Sequence, residues 1–157
     1  MLNRGFLAPS PPADEPVTED SPAVSDLTTL TPLHGRLSAI YAYSFFHLFN
    51  EAQQKQVAES FASLLSPQPG SVIFGCQFGM EREGERSETR SSGDVLHFYC
   101  HSPASWGRLW EQIFGPGKVR VESRLVDKSY IRQTLLRPGQ RDDGRTYLFL
   151  EWAVIRI

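Results

Sequence analysis

Apolar residues follow two different spacings along the chain, and the alternation between them predicts the order of the elements. Residues 36–42 form a nearly continuous apolar run, typical of a strand covered on both faces, and residues 71–77 are again apolar through their centre. Between these runs, Val57, Phe61 and Leu64 recur at three- and four-residue spacing, which predicts an amphipathic helix. We therefore expect strand, helix, strand, with the first strand buried on both sides.

Capping residues set the expected bounds of the first helix. Asn50 stands where a helix N-cap is expected, and Gln53 is placed to reach back to it as a capping box. Residues 66–70, with two prolines and a glycine, end the helix, because proline disfavours helical geometry in the residue before it. The strand at 71–77 follows at once.

The next part of the chain predicts a long loop and a second helix. Residues 79–93 are rich in Glu, Arg and Ser, so we expect an exposed loop, with a lid over the substrate as the alternative. Residues 95–100 predict a short extended segment. Ser102 and Pro103 then fit the N-cap and first position of a helix that ends at residues 115–117.

The C-terminal part predicts two strands. Residues 119–126 alternate with a period of two, and residues 147–155 are strongly strand-forming. Residues 137–144 between them have the composition of a turn. We expect these strands to pair as an antiparallel hairpin that closes an α/β fold.

Length and composition narrow the function classes. At 157 residues the chain has the size of one compact domain; we expect residues 1–29 to form a strand stub with a flexible Pro-, Asp- and Glu-rich segment and residues 30–157 to form the domain.

The formal net charge is -2, without a basic stripe, which argues against a nucleic-acid partner. No run is long and apolar enough to span a membrane. Cys76 and Cys100 lack metal-ligand spacing, so we expect buried, reduced thiols, no metal and a cytoplasmic protein.

Five local motifs carry a resemblance to a known family. They lie at residues 42–49, 53–54, 64–75, 101–106 and 150–154. Together they resemble the C-terminal half of class I S-adenosylmethionine-dependent methyltransferases of fungal terpenoid and meroterpenoid biosynthesis, over about residues 30–157. The resemblance implies a partial class I methyltransferase (Rossmann-like) sheet, with helices on both faces and a C-terminal antiparallel strand pair. It also implies methyl transfer from S-adenosylmethionine to an oxygen of a small, largely apolar natural product.

The candidate site residues follow the first strand and precede the second helix. The carboxyl ends of parallel strands are where open α/β sheets bind ligands. The resemblance implies that Ser44 contacts the cofactor and that Phe45 or Phe46 lines the pocket beside the sulfonium. His47 and His101 are the candidate bases, and the helix dipole favours a neutral imidazole at His101. The alternative is that both phenylalanines are core residues and both histidines are structural.

A second hypothesis concerns the part of the family's sheet that has no counterpart here. The glycine-rich turn and the acidic residue by which such enzymes hold the cofactor are absent from the sequence. The alternative to a methyltransferase is therefore a truncated, catalytically inactive remnant that acts, if at all, through a partner chain. Removing the first strands of such a sheet exposes one edge and one face, which favours a homodimer.

Overall fold

A mixed four-stranded sheet forms the centre of the protein. The computed structural model describes residues 8, 10–89, 93–131 and 146–157. Its elements are β1 (Ala39–Tyr43), α1 (Glu51–Leu64), β2 (Val72–Phe78), β3 (Gly84–Thr89), β4 (Val95–Cys100), α2 (Pro103–Phe114), β5 (Val119–Asp127) and β6 (Leu148–Arg156). The strand order is β1-β2-β6-β5; β1 and β2 are parallel, and β6 runs antiparallel to both of its neighbours. The predicted α/β class is confirmed.

Both helices begin at the predicted caps. The side-chain oxygen of Asn50 accepts a hydrogen bond from the Gln53 N–H at 2.9 Å, and the side-chain oxygen of Gln53 accepts one from the Asn50 N–H at 3.2 Å, so the predicted capping box is present. Ser102 caps α2 with Pro103 in the first turn, as predicted. Ser105 completes a second capping box with Ser102, which the sequence pattern did not predict. These caps satisfy backbone N–H groups that the first helical turn leaves without partners.

The C-terminal strands pair as predicted, and β6 has a second neighbour. β5 and β6 are antiparallel over their whole length, from Val119 opposite Arg156 to Asp127 opposite Leu148. β6 also pairs with β2, so it is inserted between β2 and β5. The predicted turn at residues 137–144 lies outside the described residues.

The prediction of a loop over residues 79–93 is wrong for much of that segment. Residues Gly84–Thr89 form β3, which pairs antiparallel with β4 in a separate two-stranded sheet. β3 is polar along its length, so it shows no apolar alternation. β3 is held as a strand by its backbone hydrogen bonds to β4, which is more apolar, and not by an apolar face of its own. Its sequence therefore lacks the two-residue periodicity that would have predicted a strand.

The core lies on one face of the four-stranded sheet. Ile73, Leu150 and Val154 point from the sheet toward α1 and α2 and have no exposed surface. Trp106 and Trp110 of α2 are also fully buried, as expected of core residues. Aromatic side chains pack edge to face through this layer, which adds to the stabilisation from buried area.

The opposite face of the sheet is exposed along β1, although Cys76 and Phe149 are buried further across it. Tyr41 and Tyr43 of β1 are 64% and 53% exposed, and Phe74 of β2 is 39% exposed. The prediction that the first strand is buried on both sides is therefore wrong. Successive side chains of a strand point to opposite faces, and α1 and α2 pack on the same one. The helical cover expected on both faces is thus present on one in the part of the chain described.

The segment before β1 contacts the sheet at the amino end of β2. Arg156 donates a hydrogen bond to the Ala13 carbonyl at 2.9 Å, and Lys118 pairs with Asp14 at 3.3 Å. Both contacts lie at the opposite end of the sheet from the carboxyl ends of β1 and β2. Among the described helices, none has the length and apolar character needed to cross a bilayer.

Candidate active site

A strained turn follows β1 at its carboxyl end. Ser44 has a φ of 50°, in the left-handed region that residues other than glycine seldom occupy. Its N–H donates to the Cys76 carbonyl of β2 at 2.7 Å, which holds the turn against the neighbouring strand. Strain of this kind concentrates at functional sites. The structure therefore gives Ser44, one of the predicted cofactor contacts, a backbone conformation typical of such sites.

The two phenylalanines after Ser44 differ in exposure. Phe45 is half-buried and stacks on Phe61 of α1, with ring centroids 5.9 Å apart. Phe46 has no exposed surface and lies 5.0 Å from the ring of Trp106 in the core. Ser44 and Phe45 thus retain surface at the carboxyl end of β1, whereas Phe46 anchors the turn to the core.

His47 is buried beside the end of β2. Its ring lies 4.9 Å from Phe78 and 5.6 Å from Phe98, and the side chain is 7% exposed. Its Nδ1 has no hydrogen-bond partner among the described residues. Burial lowers the pKa of His47, because an apolar environment disfavours the charged imidazolium. His47 is therefore a neutral imidazole at neutral pH.

An ionic cluster that the sequence did not predict lies at the same end of the sheet. Lys128, just after β5, donates to Glu151 of β6 at 2.9 Å and lies 3.5 Å from the Cys76 sulfur. The hydrogen bond from Lys128, followed by that from Arg124, lowers the pKa of Glu151. Burial raises the pKa of the Cys76 thiol, and the Lys128 ammonium only partly opposes this. Cys76 is thus a buried thiol, as predicted.

Strand pairing explains why this cluster was missed. Cys76 and Glu151 are directly opposite each other in the β2–β6 ladder, although 75 positions separate them along the chain. Lys128 reaches them from the end of the adjacent strand. Such a grouping depends on β6 lying between β2 and β5, which local sequence patterns do not specify.

His101 lies at the base of a cavity between α1, α2 and β4. The cavity has a volume of about 350 Å³, and His101 is 4% exposed. Its Nδ1 is 2.9 Å from the Ser105 hydroxyl, and its Nε2 has no partner among the described residues. Burial lowers the pKa of His101 to about 4, against the opposing effect of Glu51 and Glu83. A neutral imidazole results, and its cause is burial, whereas the sequence prediction relied on the helix dipole.

Charged side chains form the walls of this cavity. The Tyr99 hydroxyl donates to Glu51 at 3.0 Å, and burial together with this bond raises the pKa of Tyr99 to about 12. Glu83 accepts a hydrogen bond from Arg108 at 2.7 Å and another from the Ser102 hydroxyl at 3.0 Å. The cavity therefore offers both donors and acceptors to a polar group on a small molecule.

His47 and His101 both contact residues at the end of β2. Phe78 contacts the His47 ring, and Gly79 forms an isolated bridge with His101. The structure gives no direct contact between the two imidazoles. His47 thus contacts two apolar rings, and His101 lines a polar cavity.

The chain shares sequence with fungal methyltransferases. It is 36% identical over 107 residues to O-methyltransferase phiE from Fungal sp. (strain ATCC 74256), a match to 66% of this chain and 35% of that protein. It is 34% identical over 113 residues to methyltransferase adrK from Penicillium roqueforti, covering 72% and 37% of the two chains. The predicted resemblance to fungal secondary-metabolite methyltransferases is confirmed. No family model matches the chain.

The sequence match covers part of each relative, and the fold agrees with that of a solved methyltransferase structure. The chain spans 35% and 37% of the lengths of these two relatives. Among solved structures, a S-adenosylmethionine-dependent methyltransferase from Methanosarcina mazei superposes with a TM-score of 0.51 at 11% identity, over 79% of this chain and 61% of that one. The described residues therefore have part of the class I methyltransferase fold.

Proposed function

We propose that the protein is an S-adenosylmethionine-dependent O-methyltransferase of fungal secondary metabolism. The observation that supports this most directly is the 36% identity over 107 residues to an O-methyltransferase. We further propose a small, largely apolar natural product of the terpenoid or meroterpenoid class as the substrate. The bound cofactor would supply an electrophilic methyl group. The residues of this chain would then orient the acceptor oxygen, exclude water and receive a proton.

Residues at the carboxyl end of β1 fit part of a cofactor site. Ser44 offers a hydroxyl on a strained turn, and the exposed ring of Tyr43 precedes it. An aromatic face attracts a positively charged sulfonium, and the half-buried Phe45 provides a second such surface. We therefore retain Ser44 and Phe45 as proposed cofactor contacts. For Phe46, which is fully buried, we propose that it contributes by fixing the turn.

His101 is the stronger candidate for contact with the acceptor oxygen. The residue lines the cavity; its Nδ1 is held by the Ser105 hydroxyl, and its buried Nε2 has no partner among the described residues. Because its pKa is lowered to about 4, the imidazole is uncharged at neutral pH and can accept a hydrogen bond from a substrate hydroxyl. We propose His47 as the second candidate, since it is also neutral and lies beside Phe78 and Phe98.

Methyl transfer with matched histidine variants tests this proposal. The protein is incubated with S-adenosylmethionine labelled in the methyl group and a panel of terpenoids carrying hydroxyl or carboxyl groups, and the label in the extracted products is counted. We expect transfer by the wild type and by the variant of the exposed His97, His97→Gln, and a loss of about tenfold or more in His101→Gln. Absence of label with every acceptor would contradict the proposed activity. If His101→Gln and His97→Gln transferred the label equally well, the proposed role of His101 would be contradicted and the proposed activity would not.

The compartment and the small-molecule partner are also proposals. Cys76 is a free, buried thiol. Unpaired cysteines are usual in proteins of reducing compartments, which supports a cytoplasmic location. A fluorescent fusion expressed in a filamentous fungus would show diffuse cytoplasmic signal; signal confined to an organelle would contradict the proposal.

A further inference from the structure

Gln54 joins two segments that border the proposed site from different parts of the chain. It lies near the start of α1, in the sequence motif at residues 53–54, of which Gln53 forms the capping box. Its side chain is fully buried. The side-chain Nε2 donates to the Phe49 carbonyl at 3.0 Å and to the Tyr99 carbonyl at 2.7 Å. One amide thus holds the residue before the cap of α1 to the end of β4.

The chemistry of these two bonds requires an amide at this position. A backbone carbonyl only accepts hydrogen bonds, and the glutamine NH₂ group has two hydrogens, one for each carbonyl. The two partners also fix the orientation of the amide, because its oxygen could not replace the nitrogen at either one. The buried Oε1 of Gln54 has no partner among the described residues. The described bonds of this side chain are therefore the two that link the segments.

Phe49 ends the turn that follows β1. The turn begins at Ser44, whose N–H donates to the Cys76 carbonyl at 2.7 Å, and continues through a short 3₁₀ helix at Phe46–Leu48. β2 therefore holds this turn at one end, and Gln54 holds it at the other. The proposed cofactor contacts lie within this span.

Tyr99 belongs to the wall of the cavity beside His101. Tyr99 of β4 and Glu51 of α1 both line the cavity. The Tyr99 hydroxyl donates to Glu51 at 3.0 Å, so the side chain and the backbone of Tyr99 are both bonded to the start of α1. Gln54 lies behind this wall and outside the described lining of the cavity. Its bond to the Tyr99 carbonyl, two residues before His101, thus fixes the position of β4 against α1.

We propose that Gln54 is a positioning residue that aligns the cofactor turn at residues 44–49 with the acceptor site beside His101. This inference rests on the proposed function. Because one nitrogen bonds to both segments, a shift of either segment breaks one of the two bonds. Methyl transfer requires the acceptor oxygen close to the methyl carbon and in line with it, and a misplacement of about 1 Å can cost roughly a hundredfold in rate. Gln54 therefore acts on the rate of transfer and not on the binding of the cofactor.

Kinetics and calorimetry of Gln54→Met test this alignment. Methionine keeps the length of the side chain but has no donor. The matched control is Gln56→Met, which changes an exposed glutamine of the same helix and should behave as the wild type. We expect kcat to fall by about tenfold or more in Gln54→Met. The dissociation constant and the stoichiometry of S-adenosylmethionine binding should not change, which excludes a loss of folded protein as the cause.

Hydrogen exchange followed by mass spectrometry tests the coupling without activity. In Gln54→Met, exchange should rise together in peptides covering residues 45–49 and β4, while peptides of β5 keep the protection of the wild type. A residue that contributes only to stability would raise exchange throughout the chain. Gln54→Asn, whose amide is too short to reach both carbonyls, provides the same comparison if Gln54→Met does not fold.

The outcomes separate this inference from the proposed function. If the wild type transferred no methyl group to any acceptor, the proposed function would fail, and the alignment role would fail with it. If the wild type were active and Gln54→Met had the same kcat, the role of Gln54 alone would be overturned. A folded Gln54→Met that no longer bound the cofactor, or whose exchange rose in one of the two segments only, would overturn it as well.

Discussion

The hydroxyl oxygen of Ser105 lies 2.9 Å from Nδ1 of His101 and also belongs to the capping box of α2. The start of the helix and the orientation of the imidazole therefore depend on one side chain. The Nε2 of His101 is buried and has no partner among the described residues. Helix capping thus positions the atom for which we propose a role in substrate binding.

The burial of His101 makes the stability of the protein depend on pH. Its pKa is about 4 in the folded protein and 6.5 in an exposed histidine. The unfolded chain therefore takes up the proton first as the pH falls, and stability declines from about pH 6.5 toward pH 4. At roughly 1.4 kcal/mol per pKa unit, the full effect is about 3 kcal/mol.

Urea unfolding across this pH range measures the effect. The wild type should lose stability steeply between the two pKa values, whereas His101→Gln should show a flatter profile. His97→Gln changes an exposed histidine and should follow the wild type. Parallel profiles for wild type and His101→Gln would show that His101 is not buried as a neutral group.

Gly75 is required by the close pairing of β1 and β2. A Cβ atom at this position would lie 1.8 Å from the Ala42 carbonyl oxygen and 3.0 Å from the Trp152 ring. Because the clash is with backbone, Gly75→Ala should destabilise the protein by about 3 kcal/mol or more. Gly107, in α2, has open space around the same position, and Gly107→Ala should stabilise by roughly 0.5–1 kcal/mol. Denaturant titration of both variants is the measurement, and similar stabilities would contradict the described packing of the two strands.

Two substitutions at Ser44 separate strain from side-chain chemistry. Ser44→Gly removes the cost of a φ of 50° and should raise the free energy of unfolding by about 1 kcal/mol. Ser44→Ala keeps the Cβ atom and should change stability by less than about 0.5 kcal/mol. Thermal unfolding followed by circular dichroism distinguishes them. If Ser44→Gly were no more stable than Ser44→Ala, the turn would not be strained.

The sequence predicts those features that depend on neighbours along the chain. Both helix caps, the bounds of β4 and the pairing of β5 with β6 follow from capping residues and from two-residue periodicity. β3 was not predicted, because its polar side chains show no two-residue periodicity. The strand is stabilised by its pairing with β4. The contact of Lys128 with Glu151 depends on the position of β6 in the sheet, which is determined by tertiary packing.

The exposure of β1 shows a further limit of local patterns. An apolar run such as residues 36–42 indicates a strand suited to burial on both faces, but it does not specify what covers each face. The helices supply cover on the side of Ala42, while Tyr41 and Tyr43 remain exposed. The sequence indicated Ser44, Phe45, Phe46 and the two histidines as candidate site residues. The cavity around His101, formed by three separate elements, required the structure.

Titration of the purified chain with S-adenosylmethionine, followed by calorimetry, tests the central claim most directly. We expect saturable binding with a dissociation constant on the order of micromolar and weaker binding by Ser44→Ala, since the proposed contact is lost. A folded protein that shows no heat of binding over the accessible concentration range would contradict the assignment of a cofactor site to this chain.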